Sequence, residues 1–86
     1  MRFSVLVETR LREGVADPEG ATIERSLPAL GFDGVSSVQV GKTFRFTLEA
    51  DDESAARSKV DDMVARFLTN PVVEDALVTV EAAPAA

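Results

Sequence analysis

Val35-Ser36-Ser37-Val38-Gln39-Val40-Gly41-Lys42-Thr43-Phe44-Arg45-Phe46-Thr47-Leu48 is the stretch on which the fold turns. Val38, Val40, Phe44, Phe46 and Leu48 occupy alternate positions, the period of a half-buried strand. Gly41-Lys42-Thr43 breaks the run with residues suited to a turn, so two strands, Val35 to Val40 and Phe44 to Leu48, are predicted to meet there as a hairpin. A two-residue turn would pair Val40 with Thr43 and set Val38 on the face of Arg45. A three-residue loop, or an equivalent bulge, pairs Val40 with Phe44 and Val38 with Phe46, which keeps the apolar face in phase. Ser37, Gln39, Arg45, Thr47 and Glu49 then line the opposite face.

Outward from that hairpin the chain reads as strand, helix, strand on both sides. Phe3, Val5 and Val7 alternate with Ser4, Leu6 and Glu8 as a first strand, in which Leu6 interrupts the polar face and implies that something covers it. Asp17-Pro18 opens a helix, with Asp17 as cap and Pro18 in the first turn. Ile23, Leu27 and Leu30 share one helical face, and Gly31 suits a left-handed stop. Pro28 removes a helical hydrogen bond, so a kink or an end near Ser26-Leu27 is expected, with Leu30 in a looser turn. Asp51 or Asp52 caps a second helix running to about Thr69, whose Ala56, Val60, Met63, Val64, Phe67 and Leu68 make a wide apolar stripe. Asn70-Pro71 stops it, and a last strand spans about Ala76 to Glu81.

The order β-α-β-β-α-β with right-handed crossovers predicts an α+β two-layer sandwich. Its four-stranded antiparallel sheet, in the order 4-1-3-2, would carry both helices on one face, a ferredoxin-like arrangement. Residues 1–81 form the single domain of this reading, and 82–86 a disordered tail.

Composition bounds the chemistry. A chain of 86 residues buries only roughly 60–65% of the surface its unfolded form exposes. Disulfides and metals commonly reinforce so thin a core, but the chain has neither Cys nor His; association is the remaining route. The net charge is −6, with seven acids against six bases in residues 1–50 and eight against three in 51–86. No clustered basic face exists to displace counterions from phosphates, which argues against nucleic acid. No apolar run approaches a membrane span or a signal-peptide core. The absence of Cys excludes a disulfide framework and agrees with a cytoplasmic location.

Single motifs carry little. Asp51-Asp52-Glu53 and Asp61-Asp62 lack the spacing and Gly of a calcium loop, and read as helix capping and a solvated helix face. Phe44 and Phe46 sit where RNA-recognition sheets display stacking aromatics, but they share the phase of Leu48 in an acidic chain and read as core. Gly41-Lys42 lacks the rest of a phosphate loop and reads as a turn with an exposed Lys. Without His or Cys no usual nucleophile–base pair can be assembled. The outer sheet face is more informative. Leu6 and Leu77 would lie near one another there, among Gln39, Arg45, Thr47 and Thr79, as a candidate contact patch.

Four ordered motifs now line up with one family. Asp17-Pro18-Glu19-Gly20, Leu30-Gly31-Phe32, Val38-Gln39-Val40-Gly41-Lys42 and Asn70-Pro71-Val72-Val73-Glu74-Asp75 resemble PurS, the small subunit of phosphoribosylformylglycinamidine (FGAM) synthase, over about Arg2 to Glu81. The resemblance implies an accessory, non-catalytic subunit of purine biosynthesis, cytoplasmic and built as a dimer or pair of dimers. It would join an ATP-dependent synthetase subunit to a glutaminase subunit and support ammonia transfer between them. ATP, Mg and glutamine would be used by those partners, with no cofactor bound by this chain. No catalytic residues carry over. The candidate interface comprises Leu6, Arg45 and Leu77 on the outer sheet face, with Gly41, Lys42, Glu74 and Asp75 from the motifs. Pro28 and Ala76 depart from the family pattern, where a continuous helix and an aromatic are usual. The alternative from another class is a small ferredoxin-like regulatory domain binding an effector.

Overall fold

The computed structural model describes residues 1–84. Strand β1 (Arg2–Leu11) is followed by helix α1 (Pro18–Ser26) with a 3-10 turn (Pro28–Leu30), strand β2 (Lys42–Glu49), helix α2 (Glu53–Met63) with a π-helical turn (Val64–Leu68), and strand β3 (Glu74–Ala82). β1 is central and antiparallel to both neighbours, in the order β2-β1-β3. Val5 pairs with Phe46 on one side and Val80 on the other, and Val7 with Phe44 and Val78. The alternation in β1 therefore puts Phe3, Val5 and Val7 on one face, where α2 presents Ala56 and Val60. These five, with Ala50 and Val80, are the buried apolar core. Thr9 is the buried polar member, and its hydroxyl bonds both the amide and the carbonyl of Lys42.

The helix boundaries follow the local signals. Asp17 caps α1 by accepting from Gly20 N at 2.8 Å. Pro28 ends it after Ser26, the chain passes through the 3-10 turn, and Gly31 stops it at φ 92°. Asp52 Oδ1 caps α2 by accepting from Ala55 N at 2.7 Å. One expectation about its stripe fails. Phe67 is 85% exposed, because the wider π turn rotates it off the apolar line that a uniform 3.6-residue period would give.

The larger correction concerns the opening stretch. There is no hairpin at Gly41-Lys42-Thr43 and no strand over Val35 to Val40, so the sheet has three strands rather than four. The chain runs on from Val38 through Gly41 into β2. Helix α1 leaves the sheet uncovered and instead packs beside its own returning segment: Glu24 Oε1 accepts from Val38 N at 3.0 Å, and Asp17 Oδ2 from Val40 N at 2.9 Å. Residues 17–40 thus form a finger projecting past the end of the sheet. The radius of gyration is 16.8 Å and the longest dimension 51 Å, against about 12 Å for the radius of a compact chain of this length. Ala82 and Ala83, which the sequence assigns to a tail, are instead tied to the sheet. β3 includes Ala82, and the Ala83 amide donates to Arg2 O at 2.9 Å; Ala85 and Ala86 lie outside the described residues.

Candidate functional site

The outer face of the sheet gathers part of the predicted interface. Leu6 is half-buried, with Arg45 of β2 and Thr79 of β3 as its direct cross-strand partners. Ser4, Thr47 and Glu81 complete a shallow concavity of ≈ 650 Å³ around them. Leu77 is 52% exposed opposite Glu8, one step along β3 on the same face. Asp75 begins that row and holds Arg12 Nε at 3.2 Å. Among the described residues no helix covers this face, which joins exposed apolar groups to two cations without an ion pair, Arg10 and Arg45.

The remaining candidates cluster at the sheet end. Gly41, Lys42 and Glu74 line a second hollow of ≈ 420 Å³ with Leu11, Asp17, Pro18, Glu19 and Val40. Gly41 is there because the backbone is close: a Cβ would collide with Thr9 O. Glu74 has a structural task, its Oε1 accepting from Asn70 N at 2.8 Å across the turn before β3. Lys42 is exposed and lines the same hollow as Asp17, Glu19 and Glu74. The seven predicted residues thus divide into two surfaces.

A third surface escaped the sequence reading. Asp17 is a strut as well as a cap. Its two oxygens accept from Gly20 N and Val40 N, which holds its pKa below the ordinary carboxyl value. Gly20 is buried against the Val38 carbonyl, which leaves no room for a Cβ. The Asp17-Pro18-Glu19-Gly20 motif was a signal for this contact, since it places a cap and a residue without a side chain together. On the finger Ile23, Leu30, Phe32 and Val35 are 40%, 69%, 58% and 44% exposed. Phe44, Phe46 and Leu48, on the inner face of β2, are only partly covered.

These features define a class: a small antiparallel α+β chain whose chemistry lies in contact surfaces. Two hollows, an uncovered sheet face and exposed apolar groups on the finger are its candidate contact surfaces. Family membership is direct. The PurS family model, phosphoribosylformylglycinamidine (FGAM) synthase, matches residues 4–82, and the chain belongs to that family.

The FGAM synthase subunit PurS of Synechocystis is 45% identical, over 76% of this chain and 65% of its own length. That of Methanocaldococcus jannaschii is 37% identical, over 92% and 95%. Its crystal structure, described as one of the subunits of formylglycinamide ribonucleotide amidotransferase in the purine biosynthetic pathway, superposes with a TM-score of 0.84 at 34% identity, covering 95% of this chain and 99% of that one. A chain in the structure of PurLQS from Thermotoga maritima gives 0.86 at 31% identity, covering 93% and 98%. The protein is an FGAM synthase subunit of purine biosynthesis. Among the described residues no helix is long and apolar enough to cross a membrane.

Proposed function

We propose that this chain is the non-catalytic bridging subunit of FGAM synthase, joining the ATP-dependent synthetase subunit to the glutaminase subunit and supporting ammonia transfer between them. The observation that carries the reading is the match, across 93% of the chain, to a subunit solved within PurLQS. The uncovered surfaces support it, because they present contact area without an assembled nucleophile and base. ATP, Mg and glutamine belong to the partners, and this chain binds none of them. The complex works in the cytoplasm, and the chain meets a second copy of itself there, as a dimer or a pair of dimers.

Reconstitution tests the role. The purified chain alone produces no amidine, and adding it to the synthetase and glutaminase subunits restores glutamine-dependent turnover. Full glutamine-dependent rate from those two subunits without it would remove the bridging role.

A further inference from the structure

Phe67 and Val72 are the two most exposed large apolar side chains among the described residues, at 85% and 79%. They lie on either side of the stop after α2 and line neither hollow described above, so each projects from the surface. The stop that presents them is closely bonded. The Thr69 amide and hydroxyl both donate to Val64 O, at 3.2 and 2.9 Å, which closes the π turn. Asn70 Oδ1 accepts from Val72 N at 3.2 Å, and Asn70 O accepts from Val73 N and Glu74 N at 3.1 and 2.8 Å. Pro71 fixes one more backbone torsion. A backbone so held loses little freedom when something covers its side chains.

Charge narrows what that cover can be. Residues 61–75 carry Asp61, Asp62, Glu74 and Asp75 against Arg66. Arg66 is tied to Asp62 at 3.1 Å, and Arg12 joins from just past β1 by holding Asp75 at 3.2 Å. Acids therefore outnumber bases two to one in this part of the molecule. A second copy meeting it across a two-fold axis would set like charges together, because an isologous contact places the same patch on both sides. An apolar socket rimmed by Lys or Arg has no such conflict. It takes up the Phe ring and the Val methyls, and its charges are opposite in sign.

We propose that Phe67 and Val72 are the anchor by which this chain enters a basic-rimmed apolar socket on the synthetase subunit. This deepens the bridging reading, and rests on it. Of the two partners in that reading, the synthetase handles ATP and a ribonucleotide, both polyanions, whereas the glutaminase handles an amino acid. The synthetase is therefore the partner whose chemistry calls for an excess of cationic side chains. The π turn makes the anchor available. In a uniform α-helix Phe67 would fall seven residues after Val60, on the same buried line, and the wider turn carries it off that line. The acidic residues draw the socket in, and the ring governs how long the contact lasts.

The test immobilises the full chain and passes the synthetase and glutaminase subunits over it, separately and together, with ATP, Mg and glutamine present. Phe67→Asp raises the Kd for the synthetase by at least about tenfold and Val72→Asp by about threefold or more, while Phe67→Leu stays within about threefold of the parent. Helix content and the light-scattering mass of each isolated variant match the parent, since neither side chain is buried. Asp62→Lys slows association with the synthetase and flattens its salt dependence. Binding that is unchanged by both Phe67→Asp and Val72→Asp would overturn the anchor and leave the bridging role standing. A loss confined to the glutaminase, a fall in the mass of the isolated Phe67→Asp chain, or faster association of Asp62→Lys would overturn the socket. A parent chain that binds neither subunit would overturn the bridging reading and the anchor together.

Discussion

The sheet with α2 and the finger with α1 are built from similar residues yet are held in different ways. In the first, Phe3, Val7 and Val60 are at most 2% exposed and Ala56 is sealed against them. In the second, the sole buried residue of α1 is a glycine, and carboxylates hold the helix to the returning segment. Apolar burial supplies most of a domain's stability, and hydrogen bonds contribute modestly once water is counted. The comparison teaches that one part of this chain is held by its own apolar core, while the other is held mainly by hydrogen bonds to two carboxylates.

Breaking each region should therefore give different phenotypes. Phe3→Ala removes a ring from the core and should cost about 3–5 kcal/mol, a large share of a small domain's stability, read as a lower denaturant midpoint for the whole chain. Gly20→Ala drives a methyl into the Val38 carbonyl and should cost roughly 1–3 kcal/mol. Its signature is local: faster proteolysis within residues 18–40, with the β1–β3 amides still protected. Equal loss of protection in both regions would show that the finger belongs to the core.

Acid should sharpen the contrast further. Asp17 has a folded pKa depressed by the Gly20 and Val40 amides. Its contribution is present above the unfolded carboxyl pKa and is lost as pH falls through the lower, folded value. Exchange at the Val40 amide, corrected for intrinsic rate, should thus accelerate at the acid end of the range before the core amides respond, and Asp17→Asn should abolish that pH step. The smallest effect belongs to Arg66→Ala, which breaks an exposed 3.1 Å bridge to Asp62. It should change stability by about 0.3–0.5 kcal/mol at most and leave both regions alike.

Much of the first region, and the helix of the second, was legible in the sequence. Alternation in Phe3 to Val7 gave the central strand, the Ala56–Val60 stripe gave α2, and the turn chemistry of Asp17-Pro18 and Pro28 gave both ends of α1. The hairpin was not legible, for a simple reason. Val38, Val40, Phe44 and Phe46 are all even-numbered, and a three-residue loop preserves that parity as well as an unbroken strand does. Periodicity cannot separate the two. Gly41 looked like a turn residue, whereas it is needed because Thr9 O presses against it. The candidate patch was half legible. Leu6, Arg45 and Leu77 do share the outer face, but Gly41, Lys42 and Glu74 gather elsewhere, and the strut role of Asp17 depends on a contact 23 residues away.

Hydrogen exchange at the amides of Gln39, Thr43, Arg45 and Thr47, followed as the isolated chain is diluted, bears most directly on the proposed association of the chain with itself. Slow exchange at high concentration, giving way to fast exchange as the light-scattering mass falls to a single protomer, is the expected behaviour. Fast exchange of all four in an associated sample would contradict it, as would protection that persists in the lone protomer.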